Sequence, residues 1–221
     1  MLCPFLLFQV LQFAQFIVHY HRYFYQNGVI PQYDKIPELI ELMEKAIICF
    51  NECESFLLEN DYYEVSMVHR LAFYLNEIIK NDARFEDMYI DIEYNRGADG
   101  NTYVAKYLID DSDEKHEVRL DLAITSRSHD EGYGFHNLVC AEIKKIKNTD
   151  IKMRKKDCWR LEQLTSLDYS RIGRPLFGYF LGLFILVDNK KMWIEKAYDH
   201  KGEIRKDTLT GKIIVPENRY L

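Results

Sequence analysis

The sequence predicts an α/β protein, on the border with α+β: a central β-sheet flanked by helices, preceded by a helical extension. Two observations carry this. The apolar period is helical over residues 38–80 and becomes two from residue 88 onward. A further helical stretch near residue 160 then separates two groups of apolar runs, so helices and strands interleave along the chain. At 221 residues there is room for one sizeable core, or one core with an appended arm. Residues 1–35 read as a hydrophobic helical extension with a linker, and residues 36–221 as one domain.

Taken in order, the elements are these. "MLCPFLLFQVLQFAQFIVHYHRYFYQNG" lacks the basic start and small-residue cleavage site of a signal peptide, so export is not expected. Its first stretch just reaches the ~18 residues at which a membrane span becomes a candidate. However, Gln9, Gln12 and Gln15 recur every third residue, as on one polar stripe of a helix. A docking or homodimerising helix, a membrane anchor and a mis-called translation start all stay open. "NGVIPQYDKIP", with Gly28, Pro31 and Pro37, reads as the linker.

Leu39, Leu42, Met43, Ala46, Ile47 and Phe50 then mark an amphipathic helix over residues 38 to about 59, and a second is expected over 64–80. "MYIDIEYN" alternates as a half-buried strand, with "TYVAKYLI" as its expected hairpin partner across the turn "GADGN". "EVRLDLAIT" and "NLVCAEIKK" are expected to form another hairpin around the loop "SRSHDEGYGFH". A basic, irregular stretch leads into a helix at "DCWRLEQLTSLDY". "LFGYFLGLFILVD" and "KMWIEKAYD" close the chain as a buried strand and its partner.

Composition limits what the surface can do. A balance of 29 Lys+Arg against 35 Asp+Glu leaves a formal charge of -6, which argues against whole-surface polyanion binding. Any nucleic-acid site must be a local patch. The five cysteines are odd in number, scattered and without a CxxC, so they indicate neither a disulfide framework nor a zinc knuckle, and a reducing cytoplasm fits them best. Cys49 and Cys53 stand i and i+4 on the first helix, a spacing that apolar packing explains.

The chemistry concentrates in "NLVCAEIKK". Leu138, Val139, Cys140, Ala141 and Ile143 form a strand apolar on both faces, yet Glu142 and Lys144 leave it side by side on one face. In "VRLDLAI", Arg119, Asp121 and Ala123 share one face. Antiparallel pairing of the two strands brings Asp121 opposite or diagonal to Glu142. Two carboxylates with one ammonium leave a negative charge uncompensated in a partly buried place. A divalent cation with hard oxygen ligands, Mg²⁺ or Mn²⁺, would neutralise it; an ordinary ion-pair cluster at a sheet edge is the other reading. Glu64 heads the apolar stripe of the second helix, Val68, Leu71, Leu75 and Ile78, either as a first-turn acid or as a carboxylate aimed at the same ion.

The order Glu64, Asp121, Glu142-Ile143-Lys144 resembles the PD-(D/E)xK phosphodiesterase superfamily, of restriction-endonuclease-like fold. The words "SMVHRLAFYL", "DIEYNR", "RLDLAI", "NLVCAEIKK" and "RLEQLTS", spread over residues 36–188, are similar to those of an uncharacterised bacterial branch of it. The resemblance implies a mixed sheet flanked by helices, with Asp121, Glu142 and the carbonyl of Ile143 as metal ligands. Lys144 would orient or activate the attacking water, and Glu64 would be an auxiliary acid. Leu120 precedes Asp121 where the superfamily's name has proline. The expected function is therefore metal-dependent hydrolysis of nucleic acid, DNA first; the alternative is an inactive binding or regulatory module on the same scaffold.

Residues 144–156, "KKIKNTDIKMRKK", hold seven basic residues and one acid. Lys145, Lys147, Arg154, Lys155 and Lys156 are candidate phosphate contacts, with a solvated loop as the plainer reading. Arg96, at the end of a strand, and Arg70 are further candidates. His69 beside Arg70 and Asn95 beside Arg96 are supporting candidates, either pair being equally suited to an ion pair or a turn. Gln163 stands where related nucleases sometimes carry a supporting Gln. Residues 82–117 are acid-rich, and one part of them, "DDSDE", is expected to face solvent away from any nucleic acid.

Overall fold

The computed structural model describes residues 35–85, 88–94, 96–99, 102–105, 107–110, 112–126, 136–148, 150–166, 178–207 and 209–216. The expected N-terminal helical extension, Asn95 and nearly all of the loop "SRSHDEGYGFH" lie outside them. Residues 36–221 contain all the elements below.

Helix α1 (Ile36–Cys53) buries Leu39, Leu42, Met43, Ala46, Ile47 and Phe50, the stripe its periodicity announces. The chain breaks at Glu54 before the short helix α2 (Ser55–Glu59), so the single helix expected to about residue 59 is two pieces. Helix α3 (Glu64–Lys80) has the expected bounds and buries Met67, Val68, Leu71, Ala72, Leu75 and Ile79. It packs on α1 and across three strands, β1 (Met88–Tyr94), β6 (Leu120–Ser126) and β7 (His136–Lys145).

Six strands form one mixed sheet in the order β1-β6-β7-β8-β9-β10, completed by β8 (Leu181–Val187), β9 (Met192–Asp199) and β10 (Gly202–Ile204). The β6–β7 hairpin is antiparallel as expected, and so is β8–β9. β7 and β8 run parallel, which requires a crossover between them, and helix α4 (Ile151–Thr165) lies on that connection. β8 sits inside the sheet with all seven residues buried, matching its unbroken apolar run.

Three expectations are corrected. The partner of β1 is β6, with Ile92 opposite Leu122, and not "TYVAKYLI". That segment supplies β3 (Thr102–Ala105), paired with β2 (Arg96–Asp99), and β4 (Tyr107–Ile109), paired with β5 (Lys115–Glu117). Local alternation cannot distinguish a near neighbour from a distant one of equal pattern. Secondly, the basic stretch after Lys145 is not irregular. Asp150 caps α4 by accepting a hydrogen bond from the Met153 N–H at 2.7 Å, so most of those bases ride on a helix. Thirdly, the face of β6 that carries Asp121 is buried beyond it, since Ala123 is fully buried and Thr125 is 2 % exposed.

Helix α4 covers β7, β8 and β9. Gly182 lets it approach closely: a Cβ there would meet Thr165 Cγ2 at 3.1 Å and the Leu161 carbonyl oxygen at 3.3 Å. Cys140 is level with Gly182 and Glu142 with Phe184, so Glu142 leaves the sheet on the α4 side. No helix among the described residues is long and apolar enough to cross a membrane.

Candidate functional site

The site lies where β6 begins and β7 ends. Leu122 pairs with Ala141, and the same register carried one step further sets Asp121 against Glu142. The Ile143 N–H donates to Asp121 Oδ2 at 2.8 Å, tying that carboxylate to the neighbouring strand. Lys144 Nζ stands 2.7 Å from Asp121 Oδ2, 3.3 Å from Glu142 Oε2 and 3.3 Å from Glu64 Oε1. Three acids that are 57 and 21 residues apart in sequence thus share one ammonium.

Glu64 reaches this point from the first turn of α3, where the Lys145 N–H donates to its Oε2 at 3.1 Å. The turn that delivers it is fastened from the sheet. Lys145 Nζ donates to the carbonyls of Asp61 at 3.0 Å and Tyr62 at 2.7 Å, and pairs with the Asp61 carboxylate. Asp61 takes a φ of 55°, a left-handed conformation that a non-glycine residue holds only under such constraint.

Two residues that the sequence reading left out complete the cluster. Arg160 Nη2 lies 2.8 Å from Glu142 Oε1 and 2.5 Å from Asp157 Oδ1. The contact with Glu142 lacks hydrogen-bond alignment, and Glu142 Oε1, Asp157 Oδ2 and Arg160 Nε have no hydrogen-bond partner among the described residues. Asp157 and Arg160 are i and i+3 on α4, a spacing visible in "DCWR". What was missing was the knowledge that this face of the helix lies over Glu142.

Counting Glu64, Asp121, Glu142 and Asp157 against Lys144 and Arg160, the ionised cluster holds two more negative than positive charges. Glu142 is 1 % exposed. Burial, then the Asp121 charge, push its carboxyl up to about 8 against the pull of Arg160 and Lys144. Burial also raises Asp157, opposed by Arg160. For Lys144, burial acts downward, but the Glu142 and Asp121 charges outweigh it and hold the ammonium above the usual lysine range.

The donors suit a hard divalent ion in kind, being carboxylate oxygens with unsatisfied capacity and surplus negative charge. Asp121 and Glu142 would hold it. The ammonium of Lys144 now sits among the same oxygens and would have to share or yield them. Among the described residues, one set of three ligand atoms lies within 4.8 Å of one another, and it is elsewhere: Asp110, Glu114 and His116, around the β4–β5 turn.

The other candidates separate by exposure. Lys155 and Lys156 are exposed on α4, and Lys147 is 67 % exposed, 3.9 Å from Asp61. Arg154 is half-buried and donates to the Ile146 carbonyl at 3.2 Å. Lys145 is corrected: its buried ammonium serves the α3 turn and is not placed to meet a phosphate. Arg70 is an ion-pair residue, with Nε 2.6 Å from Glu54 Oε1, while Tyr74 donates to the same oxygen at 2.6 Å. His69 is exposed beside it, and Gln163 is half-buried on α4. Arg96 lies in β2, its side chain outside the described residues.

No protein-family model, curated protein or solved structure matches this chain.

Proposed function

We propose that the protein is a metal-dependent phosphodiesterase acting on nucleic acid, DNA first, on a restriction-endonuclease-like scaffold. One observation carries the reading: Glu64, Asp121 and Glu142 converge on Lys144 at the end of two paired strands. Asp121 and Glu142 would hold Mg²⁺ or Mn²⁺, with the Ile143 carbonyl as the ligand that the resemblance adds. A divalent ion bound there supplies an activated water and neutralises charge growing on the phosphate. Lys144 donates to a non-bridging phosphate oxygen and orients the nucleophile. Glu64 positions that ammonium. Arg160, braced by Asp157, holds the Glu142 carboxylate toward Asp121.

The test is incubation of supercoiled, linear and single-stranded substrates with Mg²⁺ or Mn²⁺. Cleavage is expected from the wild type and lost by at least ~100-fold in Asp121→Ala and Lys144→Ala, the scale of removing one preorganised stabilising group. Unchanged cleavage in both variants would falsify the proposal. A second reading, a non-catalytic nucleic-acid-binding module, is favoured by the position of the Lys144 ammonium among the acids. It predicts retention without turnover and no Mn²⁺ heat in calorimetry. A Mn²⁺ site that disappears in Glu142→Ala excludes it.

A further inference from the structure

A cleft of about 270 Å³ opens beside the acid cluster. Asp121 and Glu64 belong both to the cluster and to the cleft wall. Val65, Val68 and Ile92 supply an apolar lining, and Tyr63 stands at the edge with 82 % of its surface exposed. Glu93 completes the wall and takes a φ of 52° within β1, backbone strain of the kind that gathers at binding sites.

Tyr63 is not on a loose loop. It directly precedes α3, and the carbonyls of the two residues before it are the ones held by Lys145. One fastened turn therefore sets the phenol ring and the Glu64 carboxylate together. Phe56 and Tyr62 are also exposed, at 62 % and 40 %, with ring centroids 5.6 Å apart, so this side of the site is rich in aromatic faces.

The chemistry of the wall selects its occupant. Glu64, Glu93 and Asp121 repel a phosphate from the cleft itself, whereas the apolar lining and the ring favour a flat, uncharged group. The volume falls just below the roughly 300–1,000 Å³ of pockets for drug-sized ligands, which leaves room for a single ring system. Within a duplex, bases are stacked on both faces and cannot seat against a protein ring. We infer that the cleft seats one unpaired nucleobase, stacked on Tyr63, beside a phosphodiester at the Asp121–Glu142–Lys144 cluster, so that the preferred substrate is a single strand or an unpaired end. This deepens the phosphodiesterase reading and rests on it.

The experiment uses the full chain in Ca²⁺ buffer, with oligonucleotides carrying 2-aminopurine as single-stranded DNA, single-stranded RNA and blunt duplex DNA. The two single strands separate the two sources of an unpaired base. Fluorescence quenching reports stacking, and titration reports affinity. Single strands should bind more tightly than blunt duplex and be quenched. Tyr63→Ala should weaken single-strand binding by about 10- to 100-fold and abolish the quench, and Tyr63→Trp should restore both. Unchanged circular dichroism confirms that the variants fold. Equal binding of duplex and single strand, or a Tyr63→Ala protein that binds single strands like wild type, overturns the base site and leaves the phosphodiesterase reading standing. Retention of none of the three overturns both.

Discussion

Glu142 sits 1 % exposed between an acid and two cations, and its burial has a measurable consequence. With its carboxyl raised to about 8, the native state keeps a proton that the unfolded chain releases around 4.5. The stability this group contributes is complete below 4.5 and is lost as pH rises through about 8. Glu142→Gln, equal in size and always neutral, should lose most of that slope. Its unfolding free energy from urea melts should exceed the wild type's by roughly 1–3 kcal/mol at alkaline pH, and match it in acid. A second outcome belongs to Lys144. Because its ammonium competes for the carboxylate oxygens, Lys144→Met should bind Mn²⁺ more tightly than wild type while failing to cleave, as calorimetry and a cleavage assay on the same protein would show. At this scale Asp121, Glu142, Lys144 and Glu64 were legible, since charges inside an apolar strand and an acid heading an apolar stripe are visible locally. Asp157 and Arg160 were not, because nothing near "DCWR" reveals what that helix covers.

Two contacts between elements decide how the site is held. Gly182 sets the distance between α4 and the sheet, and through it the reach of Arg160 to Glu142. Gly182→Ala forces the Thr165 methyl and the Leu161 backbone apart, and should cost about 1–3 kcal/mol in denaturant melts. On the other side, Lys145 ties β7 to the turn before α3. Lys145→Met leaves two carbonyls without their charged donor and should cost roughly 1.5–3 kcal/mol. The same variant should leave the salt dependence of nucleic-acid binding unchanged, because the side chain is buried. A nitrocellulose retention series across salt concentrations separates this structural role from a phosphate contact. The sequence placed Lys145 among the basic candidates because adjacent lysines look alike in a string; alternation on the strand sends Lys144 to the acids and Lys145 to the α3 turn.

Over the whole molecule the net charge of -6 coexists with a basic face on α4. Lys152, Lys155 and Lys156 are exposed and spaced i, i+3, i+4, hence on one side of the helix. If this face carries the backbone, replacing all three with Gln should lower the slope of log affinity against log salt by about 2 for single strands, from ~0.7 per phosphate contact. The overall negative charge makes any such binding local and strongly salt-sensitive.

The sequence by itself determined helices α1 and α3, strand β1, the β6–β7 and β8–β9 hairpins, the buried β8 and the acids and lysine that meet. These follow from period and from charge set in apolar runs, both of which act over a few residues. Only the tertiary structure decided that β1 pairs with β6, that β7 and β8 run parallel, that Arg160 and Asp157 close over Glu142, and that Lys145 is a fastener. Those outcomes depend on which surfaces meet across distances of tens of residues, and burial energy selects among pairings that local pattern leaves equivalent.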